Sequence, residues 1–183
     1  MTCSPRTDHA FNEFDATNPP HVYGKSKQAG ERFVNELNQH HIIVRSSWVY
    51  TARPDDLLGR ALLASAQGKT VPVPANQFAC PTSVDTFAKF VIAAMESDEF
   101  GTFHAACTGV TSRFEFFERA FALAGQPTGN LRGTANPWQG YRIELDDMMA
   151  RLTDVYEFPT WEDDLAAFAA EHDLAALARG TQE

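Results

Sequence analysis

The chain has 183 residues, of which 44% are hydrophobic, and a formal net charge of −9. That is apolar material for one ordinary core, and with Gly and Pro near average it excludes wholesale disorder. The 15 Lys and Arg are scattered without a basic run or stripe, which excludes a nucleic-acid role, and no apolar run approaches bilayer length, which excludes a membrane partner.

Cys3, Cys80 and Cys107 are odd in number and widely spaced, with no zinc spacing among them. They read as incidental thiols in a reducing cytoplasm, and the polar stretch Met1–Asp8 carries no secretory core. The expected localisation is cytoplasmic.

In chain order, Asn18-Pro19-Pro20 is a stop ahead of a helix from Tyr23 to about Asn38, with Ala29, Phe33 and Leu37 in one apolar stripe beside Gly30 and Val34. His40-His41, read as solvated loop residues, lead into the β-branched and aromatic run Ile42–Tyr50, expected as a buried strand. Helix, short loop and apolar strand are half of a βαβ crossover, so the expected class is α/β. A helix at about Asp56–Gln67 ends at Gly68, a short strand covers Val71–Val73, and Pro74–Pro81 reads as a loop. Thr82 or Ser83 caps a helix over Val84–Met95; Gly101–Cys107 is a strand. Thr111 or Ser112 caps a helix to Ala124 with Phe114, Phe117, Phe121 and Ala124 inward. Leu131–Tyr141 looks irregular, and short helices follow at Asp146–Thr153 and Trp161–Glu171. Their acidic starts, Asp146-Asp147 and Glu162-Asp163-Asp164, suit helix dipoles rather than a metal.

Tyr23 and Lys27 stand four apart at a helix start, which puts both on one face. An ammonium beside a phenol stabilises the phenolate and tunes a side chain that otherwise titrates near ~10 into a usable proton donor. On spacing alone, a helix N-terminus with an exposed Tyr and a solvated Lys is the favoured reading of the pair.

The surroundings carry more. Pro20-His21-Val22-Tyr23-Gly24-Lys25-Ser26-Lys27-Gln28-Ala29-Gly30-Glu31 resembles the P-x-x-Y-G-x-[ST]-K-x-x-G-E stretch of extended short-chain reductases, and Phe11–Asp15 the acidic loop ahead of it. Val44-Arg45-Ser46-Ser47-Trp48-Val49-Tyr50, Asn76–Thr82, Gly101-Thr102-Phe103-His104 and Phe158-Pro159-Thr160-Trp161 resemble, in family order, the R-[TS]-[SA]-W-V-[YF], D-Q-x-G-x-P-T, G-x-[YF]-[HN] and L-P-x-W segments of the dTDP-4-dehydrorhamnose reductase family. The resemblance spans about residues 10–172.

What the resemblance implies is the C-terminal part of a Rossmann-like, NAD(P)-binding extended short-chain reductase, without the N-terminal glycine-loop strands. Residues 1–172 would form a single partial domain, with 173–183 a frayed tail. Tyr23 would be the general acid, Lys27 would tune it and hold the nicotinamide ribose, and Trp48, Gln77 and Thr82 would meet the dTDP-sugar. Trp48 reads equally as a core aromatic, and Gln77 and Thr82 equally as loop-capping residues. The family's G-x-x-G-x-x-G loop and its catalytic Ser or Thr have no counterpart here, so activity of this chain by itself stays open. Ala79 stands where the family has Gly, Thr51-Ala52 replaces another Gly, and Asn136-Pro137-Trp138 replaces an Arg-Pro. The implied chemistry is NAD(P)H-dependent reduction of the C4 ketone of a dTDP-4-keto-6-deoxy sugar. A separate N-terminal half, or self-association, would complete the sheet; the alternative is a non-catalytic sugar-nucleotide-binding or regulatory module.

Overall fold

The computed structural model describes residues 9–135 and 140–179. Cys3 and the Asn136-Pro137-Trp138 departure lie outside them.

The expected α/β alternation is present. Helix α1 (Val22–Leu37) leads to β1 (Ile42–Ser46) and, after a break at Ser47-Trp48, to β2 (Val49–Tyr50). Then follow α2 (Leu57–Ala66), β3 (Val71–Pro74), β4 (Gln77–Ala79), β5 (Thr82–Ser83), α3 (Val84–Glu96), β6 (Gly101–Ala105), β7 (Thr111–Ser112) and α4 (Arg113–Leu123). A 3₁₀ turn at Thr128–Asn130, β8 (Leu131–Thr134), β9 (Tyr141–Arg142), α5 (Met148–Leu152), α6 (Trp161–Glu171) and α7 (Leu174–Arg179) complete the chain.

Parallel pairing dominates. β1 runs beside β6 with Ile42 opposite Gly101 and Ser46 opposite Ala105, β2 beside β5, and β3 beside β8. β4 is the middle of a three-stranded sheet, antiparallel to β7 and parallel to β9. Helices start where the caps are. Ser83 accepts from the Thr86 amide at 3.1 Å, Ser112 and Glu115 form a reciprocal capping box, and Thr160 accepts from the Asp163 amide at 3.1 Å. Of the alternative caps read from sequence, Ser83 and Ser112 are the ones used.

The main core joins α2, β3, α4, α6 and α7 around Leu62, Phe117, Phe121, Leu165 and Leu174. A second cluster lies under β6, where Phe90, Phe103 and Phe158 meet with Ile42 and Val44 packed against them. On α4 the inward positions are Phe116, Phe117, Ala120, Phe121 and Ala124, while Phe114 is only half-buried.

Several expectations change. The Pro74–Pro81 loop holds β4, and the irregular stretch holds β8 and β9, because the backbone amides there need ladder partners that β3 and β4 supply. The supposed frayed tail is helical from Leu174 to Arg179, and buries Leu174, Leu177 and Ala178 in the main core. Ala79 is fully buried within β4, and the one non-glycine described residue with positive φ is Asp154, so no special backbone path marks Ala79.

The largest departure is at α1 and β1. Every residue of β1 is only half-buried, since among the described residues β6 is its one strand partner. The apolar stripe of α1 faces solvent, with Phe33 54% and Leu37 83% exposed. α1 is held instead by polar contacts: Arg45 grips Glu31 with Nε at 3.0 Å and Nη2 at 2.7 Å, and Gln28 donates to the Thr17 carbonyl at 2.9 Å. Among the described residues no helix is long and apolar enough to cross a membrane.

Candidate functional site

Tyr23 and Lys27 sit in the first turns of α1, one turn apart, as the spacing requires. The Lys27 ammonium lies 5.6 Å from the centroid of the Tyr23 ring, and Tyr23 is 66% exposed. Ser26 donates to the Tyr23 carbonyl at 2.7 Å, which tightens this turn. The phenol and the ammonium are thus paired on an open face.

Trp48 and Gln77 lie in a second, more enclosed group. Trp48 follows the β1 break, and its carbonyl accepts from the Thr82 amide at 2.8 Å, so the β2–β5 ladder fixes its backbone. Its indole Nε1 donates to the Tyr141 hydroxyl at 3.0 Å, and the two rings meet edge to face. The Arg113 guanidinium stacks over the indole, with Cζ 4.2 Å from its centroid. The same guanidinium donates to Gln77 Oε1 at 3.2 Å and to the Tyr141 hydroxyl at 3.4 Å. Gln77 and Tyr141 are cross-strand partners in β4 and β9, and Arg113 opens α4 directly after β7, the other neighbour of β4. One small sheet therefore gathers Trp48, Gln77, Arg113 and Tyr141. All four are half-buried, neither sealed in the core nor free in solvent.

Arg113 and Tyr141 were not singled out from sequence. Arg113 looks there like a polar residue in a helix first turn, and Tyr141 closes a stretch read as irregular. Only the pairing of β4 with β7 and β9 brings them to Trp48.

Thr82 goes elsewhere. It is fully buried, its hydroxyl accepts from the Cys107 amide at 3.0 Å and contacts the Cys80 carbonyl at 3.4 Å. That engagement is the loop-capping alternative, with the Thr82 side chain occupied inside the core.

Beside Arg113 opens a cavity of about 230 Å³ between α2, β3 and α4, walled by Leu57, Ala61, Val73 and Phe117 with Arg60 and Arg113 at its edge. The first turn of α6 holds a buried carboxylate whose role is more than suiting a helix dipole. Asp164 is 3% exposed and accepts from Tyr50 Oη at 2.8 Å, Ser83 N and Oγ at 2.7 Å, and Thr86 Oγ1 at 2.5 Å. Burial and the Asp164 charge hold the Tyr50 phenol well above its usual range, so it stays a donor to Asp164. The Cys107 thiol is pushed up by burial and Asp164, and Cys80 by burial to about 11, so neither is a nucleophile at neutral pH.

This set of motifs has known relatives. The RmlD substrate binding domain family matches residues 4–174. The chain belongs to that family. A dTDP-4-dehydrorhamnose reductase from Sinorhizobium fredii is 32% identical over 138 residues, covering 67% of this chain and 47% of that protein. A probable low-salt glycan biosynthesis reductase from Haloferax volcanii is 32% identical over 181 residues, covering 90% of this chain and 58% of its own length. Among solved structures, dTDP-4-dehydrorhamnose reductase from Bacillus anthracis in complex with NADP superposes with a TM-score of 0.80 at 28% identity, covering 88% of this chain and 59% of that one. The chain thus spans roughly half of the curated relatives it matches, and its fold is the substrate-binding part of a Rossmann-like extended reductase.

A dinucleotide such as that NADP needs donors around its diphosphate. The sequence contains no G-x-x-G-x-x-G turn to cradle one. The described glycines with positive φ serve other ends: Gly68 and Gly125 follow helices, Gly101 opens β6, and a Cβ on Gly109 would lie 3.2 Å from the Trp161 ring. Among the described residues no such cradle is present.

Proposed function

We propose that this chain is the sugar-nucleotide-binding half of a dTDP-4-dehydrorhamnose reductase-type enzyme. The observation that carries the reading is the half-exposed cluster of Trp48 and Gln77 with Arg113 and Tyr141, beside an apolar cavity, in a chain of this family. Aromatic faces and a few convergent polar groups around an apolar recess are what binding a sugar-nucleotide requires. The reduction of a C4 ketone on a dTDP-4-keto-6-deoxy sugar, with NADP or NAD as the hydride source, belongs in this reading to an assembled enzyme. In that enzyme Tyr23 is the proton donor and Lys27 the cation that favours its phenolate and meets the ribose. In this reading a separate N-terminal half would supply the glycine-rich turn, and self-association would be the other way of covering the sheet. The half-buried β1 and the solvent-facing Phe33 and Leu37 of α1 support this, because apolar surface of that kind is stabilised by cover. The buried thiols of Cys80 and Cys107 suit a reducing cytoplasm.

A second reading, a non-catalytic sugar-nucleotide-binding or regulatory module, is favoured by the open setting of Tyr23, which is 66% exposed. Both readings keep the sugar-nucleotide site. The test is the melting temperature of the purified chain with dTDP, dTDP-rhamnose, NADH and NADPH in separate scans. Binding to the folded state alone stabilises by mass action, and at about 100 times Kd the midpoint rises by roughly 5–10 °C. A rise with the thymidine nucleotides but not the dinucleotides is expected. A cooperative melt that none of the four ligands moves contradicts the proposal.

A further inference from the structure

The cluster around Trp48 contains a cation that no carboxylate answers. Arg45, the other half-buried arginine among the described residues, is matched by Glu31 at 2.7 Å, and the more exposed Arg151 by Asp146 at 2.7 Å. Arg113 is half-buried and, among the described residues, has no acidic side chain within ion-pair distance. Its bonded neighbours, the Gln77 carbonyl oxygen and the Tyr141 hydroxyl, are neutral. Keeping a charged group partly out of water without a counter-ion costs free energy, and an anionic ligand offsets that cost.

The guanidinium is also held in one plane. Trp48 supports its face at 4.2 Å, and Gln77 and Tyr141 take two of its N–H groups at 3.2 and 3.4 Å. Arginine has further donors, in a fork that matches phosphate oxygens. The Tyr141 oxygen accepts from both Trp48 and Arg113, so its own proton is left to donate. The anion site borders the apolar cavity of about 230 Å³, where Leu57, Val73 and Phe117 offer a surface for an uncharged ring rather than a second charge.

We propose that Arg113 is the phosphate anchor of the sugar-nucleotide site. Its guanidinium grips the diphosphate, with Trp48 as backing plate and Tyr141 as a second donor, and the nucleoside occupies the cavity. The ligand class is a pyrimidine nucleoside diphosphate, and the assignment rests on the sugar-nucleotide reading above.

Isothermal titration of the full chain with dTDP, thymidine and inorganic pyrophosphate tests this, using wild type, Arg113→Ala and Arg113→Lys. Wild type should bind dTDP more tightly than either fragment. In Arg113→Ala the Kd for dTDP should rise on the order of 10- to 100-fold, to that of thymidine, as expected for losing a charge-assisted phosphate contact. Pyrophosphate binding should disappear, thymidine binding should be unchanged, and Arg113→Lys should recover part of the loss because it keeps charge without the fork. If Arg113→Ala melts early, Arg113→Gln, which keeps a planar donor for Gln77 and Tyr141, replaces it. Wild-type affinity for dTDP in Arg113→Ala overturns the anchor and leaves the sugar-nucleotide reading standing. Wild type that binds pyrophosphate as tightly as dTDP overturns the nucleoside part of the assignment. Wild type that binds no dTDP overturns both the anchor and the reading on which it rests.

Discussion

His104 and Glu13 meet beneath β6, and each is buried against its electrostatic preference. The His104 side chain is fully buried, and burial pushes its pKa down to about 4. Its Nδ1 lies 3.0 Å from the Asp146 carbonyl, which can only accept, so Nδ1 carries the proton, and Nε2 has no hydrogen-bond partner among the described residues. Glu13 accepts from the His104 amide at 2.9 Å, but its other oxygen is buried without a partner, and burial raises its pKa. The two therefore act on stability with opposite sign. A lowered histidine pKa stabilises above about 6.5 and loses that contribution as pH falls toward about 4, up to roughly 3 kcal/mol. A raised carboxyl pKa stabilises in acid and loses its contribution as pH rises. Comparison with His104→Asn, which keeps a donor for the carbonyl, isolates the first. In urea denaturation the stability gap between wild type and His104→Asn should narrow steadily from pH 7 to pH 4.5, and a gap constant with pH contradicts this account.

At the scale of elements, two helices behave opposite to their sequence appearance. The Ala-rich segment after Asp173 reads as a tail, yet α7 packs on α2 and seals Leu174, Leu177 and Ala178 into the core. α1 reads as a core-facing amphipathic helix, yet its apolar stripe is in water. In denaturant titrations Leu174→Ala should cost about 2–4 kcal/mol, as for a buried leucine that leaves a cavity. Leu37→Ala, at 83% exposure, should stay within about 0.5 kcal/mol. Comparable costs for the two would contradict the packing. The contrast shows what sequence reveals about elements. Periodicity and caps such as Ser83, Ser112 and Thr160 locate helices, because those signals are local. A stripe on α1 says which face is apolar, but not whether a neighbour covers it. Short strands such as β4, β8 and β9 exist through partners distant in sequence, so Leu131–Tyr141 looks shapeless until β3 and β4 are beside it.

For the whole molecule the same division holds at the candidate site. Tyr23, Lys27, Trp48 and Gln77 are legible because each sits in a motif of the family, whereas Arg113 and Tyr141 reach Trp48 only through the pairing of β4 with β7 and β9. Thr82 carries the motif but is spent inside, on the Cys107 amide. The chain spans 47% and 48% of two curated reductase relatives; its main core is packed, while β1 is half-buried and the apolar stripe of α1 is exposed. In the proposed function, this packed part holds a sugar-nucleotide at the Trp48 cluster. The most direct test is a ¹H–¹⁵N correlation spectrum of the chain titrated with dTDP. The Trp48 indole N–H, bonded to Tyr141, should move together with the amides of Gln77–Ala79, Tyr141–Arg142 and the first turn of α4. A saturating titration that leaves the Trp48 indole in place, whether other signals move or none do, contradicts it.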